Sequence, residues 1–593
     1  MKKHKSLSRS AIPRVQQGGK FVALDAETEG CRSVSRKKQA EKILATAVMG
    51  MNLVNTVAPL AALVGAEQKL SAVSQPVRSE AEPLDYAVLP QLADAVDNLV
   101  FARAYARMYD GTANVPVMYE GDEQHNYPGQ NAIVSTMSGG YQEIGGTGTV
   151  STMSGGSQSV HDGGTGTVSA MISGRQDVEG SSAIGTVITM SDDGQQVINF
   201  SGTGKVSTMN GGVQVIDRVG IGIVDVMNSG IQGIDKGTGT VSTMNNGSQI
   251  VRAGGSGTID VMISGEQNIT SGAAGTVNTM SGGNQNVNGG TGTVSTMSGG
   301  SQRIYSGAGT VSTMINGSQR VDGGTGTIIS MNSGYQAISG GSGTIDSMND
   351  GRQWIVGSGT GTINVMQGGG QLVGNGTGTI STMSGGSQTI NVGTGTVSTM
   401  INGSQNVNRN TTGTIDIMSG GMQSVVQNAN GIINTMSNGN QKIIAGTGTV
   451  STMISGEQNI IGGGTGTISA MSGGTQKISN GGSGTVSTMF GGSQTIESGG
   501  SGTVSTMSYG YQNIYSGGTG TINMMQGGTQ TVDSGGTALD TVIAGGTQQV
   551  KWGAVVSGAT LSAGIQEVYD GTNLNNITFA GGTQAVMSGA AVS

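Results

Sequence analysis

Chemistry at neutral pH most often recruits histidine or cysteine, and this 593-residue chain offers few of either: His4, His125, His161 and Cys31. A metal centre needs several such ligands converging, and a nucleophilic triad needs a histidine beside a hydroxyl or thiol and oriented by a carboxylate. His4 lies in a basic amino-terminal stretch, and His125 and His161 have no nearby cysteine or patterned carboxylate pair in the sequence. Acids such as Asp192, Asp193 and Asp217 follow no ladder. The Gly-Thr-Gly-Thr strings, as at Gly146 to Thr149, resemble a phosphate cradle only superficially, because none sits between a strand and a helix and there is no Gly-Lys-Ser/Thr string. The expectation is a chain that is not an enzyme and holds no cofactor or metal.

Hydroxyls, by contrast, are abundant and in register. Thr147, Thr149, Ser151 and Thr152 recur as Thr291, Thr293, Ser295 and Thr296, and again as Thr394, Thr396, Ser398 and Thr399. Side chains alternate along a strand, so about half of these project outward as long rows. Such rows suit three roles: acceptors for glycosylation, a hydrogen-bonding face for other surfaces or identical chains, or a Thr-x-Thr array that orders water. A corner position for the Thr-Gly-Thr string, and its absence from some copies, would spoil the last of these. Tyr141, Tyr335, Tyr509, Tyr511, Tyr515, Trp354 and Trp552 read as isolated surface aromatics, with local sugar contacts as the alternative.

What positions these rows is a repeat. From about residue 131 to 593 the pattern G-T-[V/I]-x-x-M-x-x-G-x-Q-x-[V/I] recurs every 16 to 19 residues, in 26 copies of which 23 carry the methionine. Met153, Gly156 and Gln158 show one copy, Met297, Gly300 and Gln302 another, and Met507, Gly510 and Gln512 a third; Ile543, Leu561 and Phe579 replace methionine in the last three. Repetition at this period marks a solenoid, whose units bury an apolar face only by stacking. Glycine is 110 of 593 residues and aromatic content is 3%, values that would suit a disordered chain, yet a linker has no reason to hold apolar residues in fixed register. Glycine does not fall at every third residue, which excludes collagen.

The predicted fold is therefore all-β, a right-handed parallel β-helix of short glycine-rich repeats, with strands at Thr147 to Met153 and Gln158 to Val160 and their equivalents. Val150, Met153 and Val160 begin three inward apolar columns, and the three-residue step from Val150 to Met153 requires a bend. Gln158 and its counterparts form a fourth column, either an inward amide ladder or a solvent-side row kept by tandem duplication. Glycine pairs such as Gly145-Gly146 and Gly155-Gly156 occupy corners. One copy per turn gives a rod of about 120 Å, and two copies per turn half that.

Ahead of the repeats, residues 1–66 read as an extended signal peptide. Lysines and arginines from Lys2 to Lys42 precede the uncharged stretch Ile43 to Ala66, which ends in the small residues Val64-Gly65-Ala66; a transmembrane helix is the alternative. Cleavage there would remove Cys31 and leave 16 Lys and Arg against 31 Asp and Glu, a net charge of −15. So acidic a product is not a nucleic-acid binder. Residues 67–130 read as leader and linker, with a helix over 90–109 that either caps the first rung or is a plain surface helix next to a linker, and a connector from 112 to 130.

The strings Gly527-Gly528-Thr529-Gln530-Thr531-Val532-Asp533-Ser534-Gly535-Gly536-Thr537-Ala538 and Gly545-Gly546-Thr547-Gln548-Gln549-Val550 resemble the passenger-domain repeats of self-associating autotransporter adhesins of the AIDA and antigen 43 type, whose units have the form G-G-x-Q-x-V-x-x-G-G-T-A. The resemblance covers about 460 residues. It implies an exported β-helix displayed on a Gram-negative cell surface that mediates adhesion or self-aggregation. Its implied partners are identical passenger domains on neighbouring cells, or a host-surface receptor or glycan, and a glycosyltransferase that modifies outward serines and threonines. This chain departs from the family in its 17-to-18-residue period, its near-invariant methionine, and an end inside a repeat at Ser593 with no carboxyl-terminal membrane barrel. A passive structural filament or coat is the second reading. A β-helix enzyme is the third, and it would need acidic side chains clustered on one face.

Overall fold

A computed structural model describes residues 107–270 and 272–587. The expected signal peptide, the leader and the helix up to residue 106 lie outside the described residues. The rest is a stack of 52 strands, β1 to β52, all in one parallel sheet system. Each full copy contributes a seven-residue strand, such as β30 (Thr394–Met400), and a four- or five-residue strand, such as β31 (Ser404–Val407). Each pairs with its equivalent one copy later: Thr394 with Thr412, Gly395 with Gly413 and Met400 with Met418, and likewise Gln405 with Gln423. One copy is therefore one turn. The glutamine column has 27 members, from Gln124 to Gln584, and its 26 steps of about 4.8 Å make a rod of roughly 125 Å.

The repeat unit explains its own path around the core. In Thr394–Met400 the first four residues alternate outward and inward, so that Thr394 and Thr396 face solvent while Gly395 and Val397 are buried. The ladder then skips Ser398 and resumes at Thr399. That break is the bend that lets Val397 and Met400 both point inward across a three-residue step. After the methionine comes a corner built on Gly403, whose φ of +100° is a left-handed conformation that favours glycine. Gln405 and Val407 then face inward from the short strand. Val397-type and Met400-type residues form one continuous apolar cluster and Val407-type residues a second, all essentially without solvent exposure.

One sequence expectation is met and two are corrected. The Thr-Gly-Thr string lies in the strand, as the assignment of Thr147 to Met153 to a strand expects, and its glycine is an inward position. A Cβ on Gly395 would lie 2.4 Å from Ile390 Cδ1 and 2.9 Å from the Gln388 amide oxygen, so the facing isoleucine and glutamine occupy the space that a side chain would need. Secondly, the segment read as a connector, 112 to 130, is the first full turn: β2 (Asn114–Met118) pairs with β4 (Asn131–Met137), and β3 (Glu123–Asn126) with β5 (Tyr141–Ile144). Pro116 obscured it, yet it sits where the ladder skips from Val115 to Val117, a place that needs no backbone donor. Finally, Met108 and Tyr109, assigned to the end of the helix, form the short strand β1 against Glu123 and Gln124.

The first turn differs from those above it in carrying buried polar groups. Asp122 accepts hydrogen bonds from the backbone N–H groups of Arg107 and Tyr119, and Asn126 replaces the column aliphatic, donating to the Gly111 and Thr147 carbonyls. At the other end, Ala538, Val556 and Leu574 take over the inward glycine position and join the second apolar cluster.

Candidate functional site

The ladder residues singled out in the sequence are placed as follows. Met153, Met297 and Met507 are fully buried in the first apolar cluster. Gly156, Gly300 and Gly510 hold φ values of +76°, +78° and +94°, and a Cβ on any of them would come within 2.7 Å of the backbone of the preceding turn. Gln158, Gln302 and Gln512 are fully buried, so the column left open between inward and outward faces inward.

The amide geometry closes completely. Gln302 Nε2 donates to Gln285 Oε1 at 2.6 Å and to the Gly292 carbonyl at 3.0 Å, while Gln302 Oε1 accepts from Gln319 Nε2 at 2.7 Å. Donation to backbone carbonyls of the facing strand fixes the amide orientation, since the flipped amide would set oxygen against oxygen. Equivalent bonds of 2.5 to 2.8 Å link every neighbouring pair from Gln124 to Gln584. From Gln176 to Gln530 each amide thus uses a second donor contact as well as its ladder bonds, the condition for burying a polar group at little cost. The column is structural and offers nothing to a ligand.

Among the described residues, the groups open to a partner lie on the outer surface, whose two sheet faces differ. On the long-strand face the outward positions are mostly threonine and serine. On the short-strand face they vary, with Glu143, Asp177, Arg303, Arg320, Trp354 and Lys477 at equivalent places. Charge pairs gather on this second face: Arg303 and Arg320 both reach Asp322, and Lys477 reaches Glu497. Arg303 lies over the Tyr305 ring at 4.4 Å. Tyr335, Trp354, Tyr509, Tyr511, Tyr515 and Trp552 are all exposed.

Near the amino-terminal end this face carries a cluster that the sequence reading missed. Stacking brings Glu143 between His125 and His161, at 2.5 Å from His125 Nδ1 and 3.4 Å from His161 Nε2, and Glu123 lies 3.4 Å from His125 Nε2. The Glu143 carboxylate holds the His125 proton and raises its pKa, against a smaller opposing effect of burial. The available signal was the 18-residue step that makes His125 and Glu143 register partners; the next turn is 16 residues long and pairs Glu143 with Ser159, so His161 reaches the carboxylate from two residues beyond the register position. Beside the cluster, His161, Asp162, Glu179, Gly180 and Phe200 line an open hollow of about 400 Å³. Among the described residues no group of three or more His, Cys, Asp or Glu is arranged to hold a metal ion.

No protein-family model, curated protein or solved structure matches the chain. Its fold class, an all-β parallel β-solenoid, is established by the strand pairing itself.

Proposed function

We propose that this protein is an exported, surface-displayed adhesin that acts through broad lateral contacts along a rod. The observation that carries this reading is the outward hydroxyl columns, repeated turn after turn on a stack whose inward glutamines bond to one another. A rod of this kind presents many weak, identical contacts, and multivalency turns these into strong attachment. The carboxyl-terminal repeats that resemble autotransporter passenger domains favour identical chains on neighbouring cells, or a host receptor or glycan, as partners. The same hydroxyl rows would accept sugars from a glycosyltransferase.

Cells producing the full chain are expected to aggregate or to bind host surfaces, and alanine replacement of the outward hydroxyls on several adjacent turns to weaken that binding strongly. Binding that persists unchanged after the replacement would contradict the mechanism. Absence of any binding, with rods still visible on the cells, would favour the structural filament.

A further inference from the structure

The long-strand face is more uniform than duplication explains. Across the 23 long strands from Asn131–Met137 to Thr519–Met525, the second outward position is threonine in 19, with Ile133, Lys205, Ile223 and Ile432 as the exceptions. The short-strand face went through the same duplications, yet its equivalent position holds residues as different as Asp177, Val215, Arg303 and Trp354. Folding does not demand the threonine either, since Lys205 and Ile223 sit in normally paired strands. Something other than history or stability holds this face constant.

Over six successive turns the two outward positions carry only hydroxyls: Thr325 and Thr327, Ser342 and Thr344, Thr360 and Thr362, Thr377 and Thr379, Thr394 and Thr396, Thr412 and Thr414. Unbroken parallel register stacks them directly. The result is a two-dimensional lattice with about 4.8 Å between turns and about 6.6 Å between the paired side chains of one strand. No charge, amide or aromatic ring interrupts these two columns over the six turns. An anionic partner would call for lysine or arginine.

Threonine places a hydroxyl, which anchors a water, beside a methyl, around which neighbouring waters bond to one another. Rows of oxygens on a prism face of hexagonal ice repeat at spacings close to both lattice dimensions. We propose that the Thr-Gly-Thr face binds ice, with crystalline water as the ligand and the six-turn array as the core of the site. This deepens the adhesive reading by naming a ligand for one face of the rod, but its test needs no cells.

The experiment is ice-affinity partitioning of the purified full chain, with thermal hysteresis measured in parallel. The chain is expected to enter a slowly grown ice phase several-fold more than a neutral control protein, and to shape ice crystals. Thr379→Lys and Thr396→Lys, at a position where Lys205 is already accommodated, are expected to abolish the enrichment while leaving the circular dichroism unchanged. Thr389→Lys, outward on the short strand, is expected to leave it intact. Exclusion of the unaltered chain from ice would overturn the proposal, as would equal loss in the Thr389→Lys and Thr396→Lys variants. Ice enrichment in a chain that fails to aggregate cells would sink the adhesive reading alone, and the converse result would sink this one.

Discussion

A buried primary amide is costly unless both its N–H groups and its oxygen are used, and Gln388 illustrates how far this stack depends on continuity. Its Nε2 donates to Gln371 Oε1 and to the Gly378 carbonyl, and its Oε1 accepts from Gln405 Nε2. In a Gln388→Leu variant Gln371 loses its donor and Gln405 its acceptor, each stranded without water at a cost of about 1 to 3 kcal/mol. Native-state hydrogen exchange is expected to show faster opening of the turns around Gln371 and Gln405 and little change several turns away, as befits a nearest-neighbour stack. The volume-conserving Met400→Leu change should cost less than about 1.5 kcal/mol; a larger effect there than at Gln388 would mean that the ladder is not the sensitive element. The methionine, valine and isoleucine columns were legible in the sequence because apolar residues recur at the same position in copy after copy, as only a shared buried position explains. The glutamine was not, since an amide satisfies either face, and the inward Gly395 has no side chain by which to declare a direction.

At the scale of strands, the periodicity located nearly every turn but stopped one turn short at the amino-terminal end. The pattern of the first turn is degraded in three places: Pro116 at the bend, Asp122 and Glu123 before the glutamine, and Asn126 in the aliphatic column. Two of these, Asp122 and Asn126, bond backbone groups of neighbouring segments. The histidine and glutamate cluster between β3 and β5 was likewise invisible until the period was applied to charged residues. Its titration should be measurable. The folded pKa of His125 is raised above the ordinary value of about 6.5, so its contribution to stability is present in full below about pH 6.5 and lost as pH rises through the raised value. Exchange protection of the Glu123–Asn126 and Tyr141–Ile144 amides is therefore expected to fall modestly between pH 6 and pH 8.5, once corrected for intrinsic exchange rates. In a His125→Gln variant that loss should disappear; an identical pH profile in the variant would remove His125 from the account.

For the whole molecule, the fold class was readable because a single short motif, repeated in register, leaves stacking as the only way to bury its apolar residues. The number of copies per turn was not readable, since both arrangements bury the same columns, and it decides the length of the rod and the spacing of every outward column. Spin-label distance measurement tests this directly. With Cys31→Ser as background, nitroxides at Ser298 and Ser384 stand five turns apart, and at Ser298 and Ser472 ten turns apart, all at exposed positions following a column methionine. One copy per turn predicts narrow distributions centred near about 24 Å and about 48 Å, a slope of roughly 4.8 Å per copy. A slope of half that value, or distributions too broad to assign a centre, would contradict the stack on which every outward lattice and inward ladder depends.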